Sequence, residues 1–235
     1  MTTGQRVAFL SGLIFVLLVG VACRAEEPLP DLWPAPEYEL VDQLGRPFGS
    51  ADLAGRAAVV DFIYTNCPDM CPLLSASMAK VQEKLRAERL LGARVQLVSV
   101  TVDPDRDTPA VLAEYAGRYH ADPDAWRFLS GDRETIYGVL EGFKLNTREV
   151  ARAYAGAAEV PHSNRFVVVD PAGHVRAQLP GDEVAPEEVV RTVKRVLEGS
   201  AALADQPRVP TLNARNVERG TRSSRGGRSN SADTT

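Results

Sequence analysis

The sequence predicts an α/β fold in which a βαβ unit is followed by a ββα unit, and three observations carry that prediction. Ala57 to Thr65 and Val95 to Val102 are near-continuous apolar runs, as expected of central strands covered on both faces. Helix-length segments with recognisable start and stop residues lie between and after them. Arg165 to Asp170, the turn Pro171-Ala172-Gly173 and His174 to Leu179 then read as a hairpin with a helix behind it.

Ahead of the core, Glu26 to Pro36 contains Pro28, Pro30, Pro34 and Pro36 and reads as an extended spacer. Glu37 to Leu40 alternates polar and apolar residues before the turn Gln43-Leu44-Gly45-Arg46-Pro47, which predicts an N-terminal hairpin. Leu73 to Leu91 follows the first core strand as a helix, with Gly92 as its stop. After the second strand, Thr108 as N-cap and Pro109 at the first helical position start a helix that runs to about His120. Trp126 to Leu129 reads as a short strand and Arg133 to Phe143 as a helix. Leu145 to Val160 has no periodic signal and reads as an irregular insertion. Pro186 to Glu198 is the closing helix, ended by Gly199. Taken in order, these elements form the thioredoxin arrangement, with an N-terminal hairpin and an insertion before the final ββα unit.

The 235 residues, 44% hydrophobic and 25% charged, suit one soluble domain with appendages, and a formal net charge of −4 offers nothing to a nucleic acid. The positive charge collects at the end of the chain. From Gln206 onward six arginines face only Glu218 and Asp233. The tail from Ser200 is rich in Arg, Ser, Gly and Asn, so it is expected to be disordered, with at most a weak attraction to anionic headgroups. At the other end, Arg6 precedes a run from Val7 to Ala22 that is apolar apart from Ser11, which suits an export signal and is short for a membrane span. Val19-Gly20-Val21-Ala22-Cys23 resembles a bacterial lipobox, in which Cys23 becomes the lipidated first residue; the competing reading is an uncleaved anchor helix. Either way the domain is expected to be extracytoplasmic and membrane-anchored, on the periplasmic side of a bacterial envelope. The expected organisation is a signal or anchor over 1–22, a lipidated cysteine and Pro-rich tether over 23–36, a thioredoxin-like domain over 37–199 and a basic tail over 200–235.

With Cys23 assigned to the anchor, Cys67 and Cys71 are the two thiols of the folded part. They sit in Cys67-Pro68-Asp69-Met70-Cys71-Pro72, where a strand hands over to a helix. Positions i and i+4 in a first helical turn share a face, so both sulfurs can point at one partner. Free N–H groups and the helix dipole favour thiolates there. Such a pair is a redox couple, a soft-metal site, or both. Outside the cytoplasm it must be kept reduced by a partner or work by cycling.

A metal site needs a further ligand, and three histidines are available. His174 follows a hairpin turn, where an exposed position is expected, and His120 ends a helix, where a cation opposes the dipole. His162 is different. In a thioredoxin-like fold the loop Val160-Pro161-His162-Ser163 lies beside the cysteine turn, with Pro161 a candidate for a cis peptide. His162 would then face Cys67 and Cys71. Two thiolates and an imidazole form a soft, low-coordinate set that suits monovalent copper, with zinc as the chemical competitor.

Thr65-Asn66-Cys67-Pro68-Asp69-Met70-Cys71-Pro72, then Thr101-Val102-Asp103-Pro104-Asp105-Arg106-Asp107-Thr108, then His162-Ser163 ahead of Asp170-Pro171-Ala172-Gly173, resemble the Sco/SenC proteins over roughly Glu37 to Leu197. The resemblance implies a thioredoxin-like fold and a copper ion held by Cys67, Cys71 and His162. It also implies delivery of copper to the dinuclear centre of cytochrome c oxidase subunit II, with copper donors and a thiol reductant as further partners. A thiol-disulfide reductase role for the pair is the alternative function; in it Cys67 attacks, Cys71 resolves, and the two form a disulfide when oxidised. A peroxidase ranks last, because the surroundings of a peroxidatic cysteine cannot be placed here. Many family members carry an acid before the histidine where this chain has Pro161, so the imidazole must be oriented otherwise. Asp103, Asp105, Arg106 and Asp107 resemble the family's charged loop, with helix capping and local pairing as the simpler role. Met70 is expected to be a packed side chain rather than a thioether ligand.

Overall fold

The computed structural model describes residues 27–145, 164–181 and 183–204. Within them one mixed sheet carries the fold. Its strands are β1 (Trp33–Pro34), β2 (Glu39–Asp42), β3 (Pro47–Gly49), β4 (Ala57–Ile63), β5 (Val95–Thr101), β6 (Trp126–Ser130), β7 (Arg165–Val169) and β8 (His174–Pro180), in the spatial order β1-β8-β7-β4-β5-β6-β2-β3. The helices are α1 (Met70–Ala87), α2 (Pro109–Arg118), α3 (Arg133–Gly142) and α4 (Pro186–Ala204).

β4, β5 and β6 are parallel neighbours, joined by α1 and α2, as the βαβ reading requires. β7 runs antiparallel to β4, and β8 antiparallel to β7, before α4 closes the ββα unit. Every residue of β4 and β5 is buried, because helices cover both faces. Val59, Val60, Leu97, Val98, Trp126 and Phe128 belong to this core, and α1 packs beside α4 over the sheet. Alternation along β4 turns Phe62 to the opposite face from Asp61, where it meets Phe143 just after α3 with ring centroids 5.5 Å apart. The predicted hairpin is present as β2 and β3.

Four expectations differ. The Pro-rich stretch is extended but docked: β1 pairs with β8, Leu32 N–H donates to Val175 O (3.0 Å), and Arg176 Nε reaches Pro30 O (2.8 Å). Proline is tolerated there because β1 is an edge strand. α1 starts three residues earlier than Leu73 and stops before Gly92. Pro72 falls in its first turn, where a missing N–H costs nothing, and Arg89 takes a left-handed φ of 58° that ends the run. Gly199 does not end α4, which continues into Ala201-Ala202-Leu203-Ala204; strong helix formers offset the ~1 kcal/mol penalty of one glycine. Residues 200–204 are therefore helical rather than part of a disordered tail. Finally, His174 is half-buried, with Nδ1 2.8 Å from Asp31 Oδ1. The insertion expected over 145–160 lies, apart from Leu145, outside the described residues. So do the signal segment with Cys23, the Pro161-His162 loop and the rest of the tail.

Candidate metal and thiol site

β4 ends at Ile63, and the chain turns through Tyr64, Thr65 and Asn66 into Cys67. Cys67 N–H donates to Tyr64 O (3.2 Å), which closes this turn. α1 begins at Met70, so Cys67 lies ahead of the helix and Cys71 within its first turn. The two thiols are still brought together: Cys71 N–H donates to Cys67 Sγ at 3.3 Å. Asp69 is the N-cap, yet its side chain makes no cap hydrogen bond. The sulfur of Cys67 takes that place on one of the free N–H groups that open a helix.

Both are free thiols, 6% and 2% exposed respectively. Their environments are unequal. At Cys67 burial pushes the thiol up, but the backbone N–H groups of Cys71 and Asp69, with the Cys71 and Tyr64 side chains, outweigh it and leave the group below its usual value. At Cys71 burial dominates and pushes the thiol well up, helped by the nearby charges of Cys67 and Asp61 and opposed by a backbone hydrogen bond at Tyr64. The pair thus combines one thiolate-prone sulfur with one held protonated.

Two residues that the sequence reading does not single out shape this environment. Asp61, fully buried on β4, has no hydrogen-bond partner of good geometry for either oxygen. Burial drives its carboxyl from 3.8 up to about 7, with the Ser99 hydroxyl opposing. Ser99 is its register partner on β5 and also accepts from Trp126 Nε1 (2.9 Å). An acid inside the run from Ala57 to Ile63 is the visible signal for this site. Tyr64 flanks both cysteines through its backbone and side chain.

The charged loop after β5 pairs locally. Arg106 meets Asp103 (2.9 Å), Arg133 bonds Asp105, and Asp107 accepts from Thr65 N–H (3.1 Å), Thr65 Oγ1 (2.5 Å) and Thr101 Oγ1 (2.5 Å). Thr108 caps α2 by accepting from Val111 N–H (3.4 Å). Met70 is half-buried and sits outside the buried core. His120 ends its turn with a left-handed φ of 51° and uses its carbonyl to accept from Gln82.

Among the described residues no group of three or more His, Cys, Asp and Glu side chains could hold a metal ion. Asn164, two residues after His162, opens β7 at the same end of the sheet, because β7 runs antiparallel to β4. Its carbonyl accepts from Gly181 N–H (2.9 Å). Gly181 in turn lies against Leu74, three residues beyond Cys71: a Cβ there would stand 2.2 Å from Leu74 Cδ1. No helix among the described residues is long and apolar enough to cross a membrane.

Comparison with known proteins agrees with this architecture. The family model described as SCO1/SenC matches residues 32–198. An SCO1 protein homolog of Bacillus subtilis (strain 168) is 31% identical over 187 residues, covering 78% of this chain and 93% of the relative. The crystal structure of a SCO1/SenC family lipoprotein from Bacillus anthracis superposes with a TM-score of 0.62 at 32% identity, over 75% of this chain and 99% of that one. ScoI of Bradyrhizobium japonicum, solved with copper bound, gives a TM-score of 0.56 at 25% identity, over 69% and 99% of the two chains. Sco proteins are described as cytochrome c oxidase assembly proteins. The match over residues 32–198 and the shared thioredoxin-like sheet lead to one conclusion: the chain belongs to the SCO1/SenC family.

Proposed function

We propose that the chain is a membrane-tethered, extracytoplasmic metallochaperone that holds copper through Cys67, Cys71 and His162 and delivers it to the dinuclear copper centre of cytochrome c oxidase subunit II. The observation that carries this reading is the pair of free, buried thiols joined by the 3.3 Å contact from Cys71 N–H to Cys67 Sγ. Soft sulfur donors in a shielded site select monovalent copper over hard cations. His162 lies two residues from Asn164, and two extended residues span at most ~7 Å. Asn164 itself opens β7 at the cysteine end of the sheet. Copper bound to the Bradyrhizobium relative and the lipoprotein character of the Bacillus anthracis relative support copper as the cargo and Cys23 as the tether. The cargo leaves by stepwise ligand exchange, in which acceptor thiolates replace Cys67 and Cys71. The test is anaerobic incubation of the copper-loaded chain with the metal-free soluble domain of subunit II. Copper should move to the acceptor, and retention of all copper on the chain would count against delivery.

The unequal thiols favour a second reading as a thiol-disulfide reductase of the same target. Cys67 thiolate would attack a target disulfide, forming a mixed disulfide and releasing one target thiolate. Cys71 would then displace the second target sulfur, leaving the target reduced and Cys67–Cys71 oxidised. A Cys71→Ser variant should trap the mixed disulfide with oxidised subunit II; absence of any adduct would remove this reading.

A further inference from the structure

We propose that Asp107 is a positioning residue for the thiol site: it holds the turn that sets Cys67 Sγ on the open first turn of α1. The inference rests on Cys67 being the working sulfur of the proposed function. Asp107 belongs to the loop between β5 and α2, far in sequence from the cysteines, yet its carboxylate is only 1% exposed and faces the β4–α1 turn. Three donors converge on its two oxygens: the Thr65 N–H, the Thr65 hydroxyl and the Thr101 hydroxyl. Asp107 is itself fixed, because its own N–H donates to Asp103 O (2.9 Å) and Thr101 ends a central strand.

The geometry gives this clamp a specific consequence. Thr65 is two residues before Cys67, between the Tyr64 carbonyl that accepts from Cys67 N–H and the cysteine itself. No carboxylate caps α1, so the free N–H of Cys71 depends on the Cys67 sulfur arriving at 3.3 Å. Holding Thr65 by backbone and side chain together fixes the direction in which the turn leaves β4. Releasing Thr65 lets the turn relax, and the 3.3 Å contact that seats Cys67 Sγ on the Cys71 N–H weakens with it. A neutral side chain without acceptors cannot receive three donors in this buried place, so the demand is for an acid or its close mimic.

The test uses the full, reduced chain and compares Asp107→Ala and Thr65→Val with Thr65→Ser, which keeps the hydroxyl. Two readouts are followed: the pH profile of iodoacetamide alkylation at the Cys67 peptide, resolved by mass spectrometry, and Cu(I) affinity in competition with bicinchoninate. Asp107→Ala and Thr65→Val should move the alkylation profile to higher pH, slow the reaction at pH 7 by roughly three- to tenfold and weaken Cu(I) binding by a similar factor, while Thr65→Ser stays within about twofold of wild type. A lowered urea midpoint with unchanged alkylation and unchanged Cu(I) affinity would show a merely structural clamp and overturn the proposal. Thr65→Ser behaving like Thr65→Val would overturn it too. If Asp107→Ala fails to fold, the two Thr65 variants decide alone. If the wild type binds no Cu(I), the metallochaperone reading fails, and the alkylation series still decides the role of Asp107.

Discussion

Asp61 makes the sharpest stability prediction, because a buried carboxyl without a well-placed hydrogen-bond partner ties folding to pH. Its charged form is disfavoured in the folded chain, where burial raises it from 3.8 to about 7. Since the folded pKa lies above the unfolded one, the stabilisation is complete below about pH 4, declines as pH rises through the interval, and is lost above about pH 7. In full, a rise of this size corresponds to roughly 4 kcal/mol, of which roughly 2–3 kcal/mol falls between pH 5.0 and 7.5. The perturbation is Asp61→Asn, which keeps the shape and removes the charge. The assay is reversible urea unfolding of the reduced, metal-free chain, measured at intervals between pH 5.0 and 7.5. Other titrating groups cancel in the difference between the two proteins. Wild type should lose roughly 2–3 kcal/mol more than Asp61→Asn across this range. Parallel curves for the two proteins would refute the claim that Asp61 is buried with its proton shifted to near neutrality.

Two further predictions follow from local geometry. At pH 7 iodoacetamide should modify Cys67 well before Cys71 in the reduced chain, because backbone N–H groups favour the first as thiolate and burial disfavours the second; equal rates in peptide-resolved mass spectrometry would contradict the asymmetry. Gly142→Ala should destabilise the fold by roughly 1–3 kcal/mol in urea unfolding, since the new Cβ would stand 2.4 Å from Pro36 Cβ in a rigid ring, and an unchanged midpoint would show that the 33–36 segment is not docked as described.

Much of this architecture is legible in the sequence because it follows from patterns with few alternatives. β4 and β5 are long apolar runs that only a doubly covered sheet accommodates, and Thr108-Pro109 announces α2 with its cap and first residue. The helix ends are less legible, since they depend on context. Pro72 suggests a start beyond it, yet a first turn accepts proline freely, and Gly199 suggests a stop that the alanines after it override. Docking of the Pro-rich stretch is invisible locally because its partners, Val175 and Arg176, are some 140 residues away. The strand-to-helix junction that holds the cysteines is legible, but their inequality depends on Asp61, Tyr64 and the N–H groups around them, and Asp107 reaches Thr65 only through the parallel pairing of β4 and β5. Spacing along one chain cannot express such cross-strand relations.

Cu(I) titration of the reduced chain against its His162→Ala variant is the direct test of a three-ligand copper site. One tightly held Cu(I) per wild-type chain is expected, and a substantially weaker complex once the imidazole is removed, with binding abolished in Cys67→Ala and Cys71→Ala. Full wild-type affinity in His162→Ala would contradict it.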